Sequence, residues 1–445
     1  MKKAIVFLSL LLFVVTSCKK GTVDVSDLLT TVPSSAGGVV ILNLENLIED
    51  TGSKIKDHEI IPGKELEQCM EKMTNLNRKD LEIFFDGRTG IDPKAAVLFY
   101  DSNRAFITFV LYDENKFCEF VESQANGKFE ETASGVKVLG NTAMKGTQAW
   151  ICLTNGKTLD SDAIASYANL KSSQSFLVTE MGERLLTEEN DIRGWVLLGA
   201  YLDSMLDRSQ RIMFTMGAGF LFENAESVAF KADFKKGELK AEAEILNDKY
   251  KPAKYQLPMD KVDVATLKKL GDTCDGLMAF TINPELVKKF EKIGTSFGGS
   301  LFGDIGQALK NVDGTVGVIA NGDNKSVAGI VTTTGDISQE LKDMISENMG
   351  AVSIDGKYLQ FKKGEVTGSL NVSECAEALK GSCLGMVFDS ASLKSMDSEA
   401  APKGFKFGVI KMSPESGGVE FEVEAKTANP KENALLTLIK GEVGL

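Results

Sequence analysis

Histidine is almost absent from this sequence, and its absence restricts the chemistry of the chain. The one histidine, His58, lies among charged residues, where an exposed surface position is typical. Zinc sites built from several histidines are therefore excluded. The G-x-S-x-G pattern around Ser296 matches the nucleophile turn of hydrolases, but that turn follows a strand, and residues 285–293 have a helical pattern. No histidine follows Ser296 to act as the base, so we predict no catalytic residues.

Paired cysteines and other cofactor motifs are also lacking. The seven cysteines include no C-x-x-C pair, and the sequence has neither a phosphate-binding loop nor a dinucleotide fingerprint. Residues 160–162 and 321–324 have side-chain oxygens that suit calcium, but neither stretch completes a calcium-binding loop. A helix start and a hairpin turn account for these stretches more simply. The sequence therefore predicts no metal and no cofactor.

Positive charge is in short supply. Lysine and arginine number 50 against 63 aspartate and glutamate residues, which gives a formal net charge of −13 at pH 7. An acidic surface repels nucleic acid and anionic lipid head groups. We therefore predict no nucleic-acid partner and no membrane binding through charge, and solubility is the simplest role for the excess acid.

The only long apolar run lies near the start of the sequence. It covers residues 4–15 and is shorter than the roughly 20 residues that span a bilayer. Lys2 and Lys3 precede it, a layout typical of a secretory signal. The run ends at Val15, Thr16, Ser17 and Cys18, which resembles a lipobox. This pattern predicts signal-peptidase cleavage between Ser17 and Cys18 and a lipid on Cys18; the alternative is an ordinary signal with a chance cysteine.

A lipid on Cys18 predicts a chain that is anchored to a membrane rather than spanning it. An Asp directly after the cysteine resembles an inner-membrane retention signal, and this position is Lys19. No acidic run of the kind found in some surface-exposed lipoproteins follows either. We therefore expect residues 1–17 to be a signal peptide and residues 18–31 a tether. The expected location is the outer membrane, on the periplasmic face rather than the cell surface.

Export also bears on the remaining six cysteines, because an oxidising compartment permits disulfides. Cys118 and Cys152 lie in apolar patterns that indicate buried thiols. Cys375 and Cys383 have two open interpretations, a disulfide bridge or two separate thiols.

A strand followed by a helix recurs along the chain. Residues 33–50 and 277–287 share an apolar strand, an Asn, and an apolar residue four positions later, and residues 384–393 repeat the pattern more weakly with Asp389. We predict that Asn43 and Asn283 cap helices, because their side chains accept bonds from free backbone N–H groups. Hairpins are predicted at 95–112 and 315–333, followed by helices capped at Asp113 and Asp336.

These repeats predict an α+β fold of two tandem related modules, each an antiparallel sheet with helices packed on one face. The N-terminal module covers residues 32–252, a connector follows at 253–265, and the C-terminal module covers 266–445 and ends in a helix capped at Asn429. Residues 32–36, with a Pro and small residues ahead of the strand at 39–43, resemble the openings of bacterial outer-membrane lipoprotein families of unknown function with repeated strand–helix and hairpin units. The resemblance covers most of the mature chain and implies no reaction, cofactor or catalytic residue.

Two uncharged segments, 213–222 and 293–303, stand apart from this pattern. The apolar side chains of these segments suit a contact surface or a flap over an apolar pocket. The alternative is that they are buried in packed helices. The large apolar residues are Phe214, Phe220, Phe222, Phe297, Leu301 and Phe302. The sequence therefore favours a non-enzymatic, lipid-anchored cell-envelope protein that binds or scaffolds an unknown protein. The alternative is a carrier or sensor of an apolar ligand, and a hydrolase ranks third.

Overall fold

The computed structural model describes residues 25–72, 82–101, 104–153, 161–199, 221–257, 260–289, 309–322, 325–390, 403–415 and 417–443. Helices are mixed with a large antiparallel sheet. The strands are β1 (Gly38–Leu42), β2 (Lys54–Lys56), β3 (Glu59–Ile61), β4 (Ile91–Asp101), β5 (Arg104–Leu111), β6 (Glu130–Glu131), β7 (Lys137–Leu139), β8 (Thr142–Lys145), β9 (Gln148–Cys152), β10 (Ile192–Leu197), β11 (Phe222–Glu223), β12 (Ser227–Lys235), β13 (Glu238–Leu246), β14 (Lys254–Tyr255), β15 (Thr273–Cys274), β16 (Gly276–Ile282), β17 (Val312–Ala320), β18 (Val327–Thr333), β19 (Ala351–Asp355), β20 (Tyr358–Lys363), β21 (Leu370–Asn371), β22 (Leu384–Asp389), β23 (Phe405–Glu415) and β24 (Gly418–Thr427). The helices are α1 (Ser26–Leu29), α2 (Leu44–Glu49), α3 (Lys64–Lys72), α4 (Glu114–Ala125), α5 (Ser161–Tyr167), α6 (Glu180–Thr187), α7 (Val264–Leu267), α8 (Gln339–Met349), α9 (Val372–Ala378) and α10 (Ala434–Glu442).

The chain divides into two compact units. Unit 1 takes residues 1–212, 226–239 and 429–445, and unit 2 takes residues 213–225 and 240–428. Helix α10, late in the chain, is therefore part of the same unit as β1. The tandem modules predicted at 32–252 and 266–445 are not confirmed. In the described ranges, no helix is both long enough and apolar enough to cross a membrane.

The strands of unit 1 are ordered β12–β10–β1–β4–β5–β9–β8–β7–β6, and each neighbouring pair is antiparallel. Helices α2, α4 and α10 pack against one face, around Ile107 and Phe109. On the other face, Tyr167 of α5 meets Phe99 and Phe106 edge-on, with ring centroids 5.4 and 5.3 Å away. Both faces of this sheet are therefore covered.

In unit 2, β13 pairs with β24. From β24 the order continues as β23–β22–β16–β17–β18–β20–β19, and each of these neighbouring pairs is antiparallel. Helices α7 and α9 pack on the face that contains Leu277 and Ile319. Helix α8 packs on the opposite face, against Val316 and Val331. The prediction of helices on one face only is therefore wrong. Strands β16 to β18 are nearly continuous apolar runs, and such strands need cover on both sides.

Three of the predicted helix caps are confirmed. The Asn43 side chain accepts the N–H of Asn46 at 3.1 Å, and that of Asn283 accepts the N–H of Leu286 at 2.9 Å. Asp113 accepts two N–H groups at the start of α4. These short polar side chains satisfy backbone donors that the first helical turn leaves free.

Two predicted caps are displaced by a few residues. Helix α8 begins after Ser338, whose Oγ accepts the N–H of Leu341 at 3.2 Å, while Asp336 is exposed ahead of it. The buried Ile337 keeps the preceding backbone against the core, so the helix starts late. Helix α10 begins after Asn433 rather than Asn429, because the amide of Asn433 also donates to the Phe234 carbonyl at 3.0 Å.

The hairpins predicted at 95–112 and 315–333 are confirmed as β4–β5 and β17–β18. Within the described residues of unit 1, a strand missed in the sequence, β8, lies between β7 and β9 and pairs with both.

Candidate binding surface

Four large apolar side chains form a row across neighbouring strands of unit 2. Met278 lies opposite Met386, Met386 opposite Ile410, and Ile410 opposite Val423. Directly opposite residues share a sheet face, with Cβ atoms about 5 Å apart. Their exposed fractions are 45% for Met278, 37% for Met386, 43% for Ile410 and 39% for Val423. We call these four side chains the apolar row.

Aromatic side chains flank the apolar row on either side, and one of them, Phe280, packs against the core beneath α8. Phe388 and Phe280 lie two residues along their strands from Met386 and Met278, and so share the same face. Phe388 lies opposite Gly408, where an added Cβ would come within 2.6 Å of the Phe388 ring. Glycine at this position lets the Phe388 ring lie across β23.

Charged groups of β23 and β24 face the other way. The Lys411 Nζ lies 3.1 Å from the Glu422 Oε1, and their side chains are only 17% and 12% exposed. A hydrogen bond from Glu422, together with burial, raises the pKa of Glu424 on the same strand. The ionic face of these two strands is thus more buried than the apolar face. A sheet with one face in solvent normally has the opposite arrangement, with the apolar face buried and the polar face exposed.

Phe222 is the only residue of the predicted apolar surface that the structure describes. It lies in β11, is 4% exposed, and packs with Ala253, Cys383 and Met412. Its ring centroid is 5.1 Å from that of Tyr255. Phe222 therefore belongs to a small core and offers no contact surface. Seven other predicted positions lie outside the described residues: Ser17, Cys18, Phe214, Phe220, Phe297, Leu301 and Phe302.

Two open grooves in the described part of unit 1 are lined by charged groups. The larger has a volume of about 710 Å³ and lies beside β3 and α3. Its lining includes five carboxylates together with Arg88 and a few apolar side chains; the acidic residues are Glu59, Glu67, Glu71, Glu82 and Asp86. A second groove is lined by Glu119, Glu122 and Lys128 among others. Such linings suit an apolar ligand poorly, because charged groups stay hydrated.

His58 stacks on an aromatic ring rather than standing free on the surface. It occupies the two-residue turn between β2 and β3, where both Asp57 and His58 have positive φ, 51° and 67°. Its ring lies 4.3 Å from that of Tyr112 at an interplanar angle of 7°. The Nδ1 atom is 3.8 Å from Asp92 Oδ2. These contacts give His58 a structural role in the turn, and Ser296 lies outside the described residues.

The six cysteines of the described chain are all free thiols. The bridge considered between Cys375 and Cys383 is not formed. The Cys383 Sγ donates instead to the Met412 carbonyl at 3.2 Å, in a different core cluster from Cys375. The neighbour that hydrogen-bonds Cys375 is Cys274. Of the two interpretations that the sequence left open for Cys375 and Cys383, the structure has the separate thiols.

Comparison with known proteins finds no family model and no curated protein that matches this chain. Crystal structures of TP0453 are similar at a low level. Crystal form I is 10% identical, with coverage of 81% of this chain and 98% of that chain and a TM-score of 0.30. Crystal form III is 9% identical, with coverage of 78% and 96% and a TM-score of 0.29. Crystal form IV is 8% identical, with coverage of 79% and 95% and a TM-score of 0.30.

Proposed function

We propose that this chain is a non-enzymatic, lipid-anchored envelope protein that binds a protein partner through the apolar row of unit 2. The observation that carries the proposal is the register of Met278, Met386, Ile410 and Val423, which puts four exposed apolar side chains side by side. Burying apolar surface stabilises a complex by about 25 cal/mol per Å². Unbranched methionine side chains adapt to the shape of a partner.

A protein partner is favoured over a small apolar ligand for a geometric reason. Small ligands bind in concave sites that enclose most of their surface. The apolar row lies across four neighbouring strands, and the Phe388 ring lies over Gly408 beside it. The grooves beside α3 and α4 are lined by charged groups. An exposed apolar row on one face of a sheet, with the charges turned to the opposite face, suits another protein surface.

We also propose that the two units descend from one duplicated design. Strand order supports this: β12–β10–β1–β4–β5–β9–β8 in unit 1 matches β23–β22–β16–β17–β18–β20–β19 in unit 2 when β1 is set against β16. In unit 1, Leu435 and Leu438 of α10 join the core on the face of β1 that holds Val40. On the corresponding face of unit 2, the described helices leave Met386 and Ile410 exposed. The apolar row is thus the part of this face that is open to a partner.

The proposed anchor is a lipid on Cys18, and the proposed location is the periplasmic face of the outer membrane. The support is the apolar run that ends at Ser17 and Cys18, and the Lys19 that follows. Several acyl chains hold a protein durably at a membrane. An anchored chain presents its binding surface at a fixed distance from the bilayer, which suits a scaffold.

Site-specific photocrosslinking tests the proposed partner. A photoreactive residue replaces Met386 in the full-length chain, in cells that normally produce it. The matched control replaces Ile354, which is 55% exposed on β19 of the same unit. A discrete protein adduct at position 386 and none at 354 supports the proposal. A lipid adduct at 386 favours the carrier of an apolar ligand instead, and the absence of any adduct at 386 overturns both.

A further inference from the structure

Two buried thiols of unit 2 meet although they are far apart in the sequence. Cys274 lies on β15, which pairs antiparallel with β21 and brings Cys274 opposite Leu370. Helix α9 begins immediately after β21, at Val372, and carries Cys375 in its second turn. The backbone N–H of Val372 also donates to the Asp272 carbonyl at 3.0 Å. This local pairing fixes the helix start against β15, and the two side chains face each other.

The surroundings of the pair are apolar. Cys274 is 0% exposed and Cys375 is 4% exposed, and both belong to the core cluster around Leu277 and Leu379. The Cys274 thiol hydrogen-bonds the Cys375 sulfur. That hydrogen bond, together with burial, raises the pKa of Cys274, and the same bond lowers the pKa of Cys375.

We propose that Cys274 and Cys375 form a disulfide bond in the mature protein. The proposal rests on the proposed export, because an oxidising compartment is where structural disulfides form and persist. Sulfur atoms in hydrogen-bonding contact need only a small approach to form a bond. The bridge would tie β15 to α9 and so close the loop that contains β16 to β20.

The oxidant is another disulfide, on a protein or a small molecule. The thiolate of one of the two cysteines attacks one sulfur of that disulfide, breaks its S–S bond and releases the other sulfur as a thiol. The second cysteine then attacks the resulting mixed disulfide and releases the second thiol. One S–S bond forms in the chain, one breaks in the oxidant, and the oxidant takes up two electrons and two protons.

The burial of both sulfurs determines when the thiol–disulfide exchange can occur. Both sulfurs are inaccessible in the folded unit, so an oxidant reaches them only before the core around Leu277 closes. After folding, the same burial shields the bond from reductants. Cys118 and Cys383 make different contacts, with the Met144 sulfur at 3.4 Å and the Met412 carbonyl at 3.2 Å, and serve as internal controls.

Peptide mapping tests the pairing directly. The full chain is reduced, unfolded and refolded in a glutathione redox buffer, then blocked with a thiol-alkylating reagent and digested with trypsin. Cleavage after lysines puts Cys274 in peptide 270–288, Cys375 in 364–380 and Cys383 in 381–394. We expect 270–288 linked to 364–380, with 381–394 alkylated. Alkylation of both Cys274 and Cys375, or a link from 364–380 to 381–394, overturns the proposal.

Peptide mapping of protein purified from cells tests the disulfide bond separately from the proposed location. Linked peptides in membrane-derived protein support the bridge in the mature chain, and alkylated Cys274 and Cys375 there overturn it. Cell fractionation tests export independently. The refolded sample shows whether Cys274 and Cys375 pair, whatever the location of the chain in the cell. Cys274→Ser should remove the linked species, whereas Cys383→Ser should leave it unchanged. Loss of the link in both variants would contradict the assignment.

Discussion

Met278 lies directly opposite Met386 on adjacent antiparallel strands, and both side chains are exposed, at 45% and 37%. The residues that follow them in the chain, Ala279 and Val387, point to the opposite face and are buried at 0% and 1%. Adjacent positions on one strand therefore have opposite environments. This contrast separates residues that hold the fold from residues available to a partner.

Substitution in the apolar row should reduce binding without unfolding unit 2. We expect Met278→Gln with Met386→Gln to lose the photocrosslink formed from position 410. The change in the free energy of unfolding should stay within about 1 kcal/mol, because partly exposed side chains contribute little to stability. Val387→Gln is the contrasting control and should destabilise the unit by several kcal/mol, as a buried polar group without a partner does. Unchanged crosslinking in the double variant would contradict the proposed surface.

The stability of unit 1 should depend on pH through Asp191. Burial, opposed by the N–H of Phe234 and reinforced by Asp50 and Asp233, raises the pKa of Asp191 from 3.8 to about 6. The folded state therefore binds this proton more tightly than the unfolded state. The contribution of Asp191 to the free energy of unfolding is greatest below pH 4 and falls, by roughly 3 kcal/mol at most, as the pH rises to 6 and above.

Asp191→Asn tests this dependence. Both tryptophans, Trp150 and Trp195, belong to unit 1, so their fluorescence during urea denaturation reports its unfolding. We expect the difference in unfolding free energy between pH 4.5 and pH 7.5 to shrink in the variant. Asp355→Asn, at an exposed position of unit 2, is the control. An Asn variant with the full pH dependence of the original chain would show that Asp191 is not its source.

Helix α8 provides a direct test of cap position. Ser338→Ala should destabilise the helix start by about 1 kcal/mol and speed hydrogen exchange at the Leu341 amide, because that N–H loses its acceptor. Asp336→Ala should cost less than about 0.5 kcal/mol, since Asp336 is an exposed residue outside the helix. Equal effects of the two substitutions would argue against Ser338 as the cap.

The proposed lipid anchor leads to a fractionation experiment. Cys18→Ser should leave the chain without a lipid and move it from the detergent phase to the aqueous phase, because the acyl chains supply the membrane affinity. Cys69→Ser, at a buried position in unit 1, is the matched control and should stay in the detergent phase. Retention of the Cys18→Ser chain in the detergent phase would refute lipidation at this cysteine.

Local patterns in the sequence predicted much of the fold. The runs at Val39 to Leu42 and Leu277 to Ile282 became β1 and β16, and Asn43 and Asn283 each cap the turn that follows. Asp336 and Ser338 lie two residues apart and are both good caps, so sequence could not decide between them. The choice depends on Ile337, whose burial is set by residues distant in the chain.

The candidate surface was not predicted, also for a physical reason. On β24, Val419, Phe421 and Val423 alternate with glutamates, and such alternation predicts that the apolar face is buried. Whether Val423 is covered depends on long-range packing, which a single strand pattern does not contain. The meeting of Cys274 with Cys375 likewise depends on the pairing of β15 with β21, two strands of two residues each. Such short strands have no detectable period.

The place of α10 in unit 1 has a consequence for the order in which the protein matures. A ribosome releases a chain from its N-terminus onward, and domains usually fold as they emerge. Leu435, Leu436 and Ile439 nevertheless complete the core that begins at Leu42. All of residues 240–428 must therefore be synthesised before unit 1 can close. The first unit to begin is therefore the last to be completed.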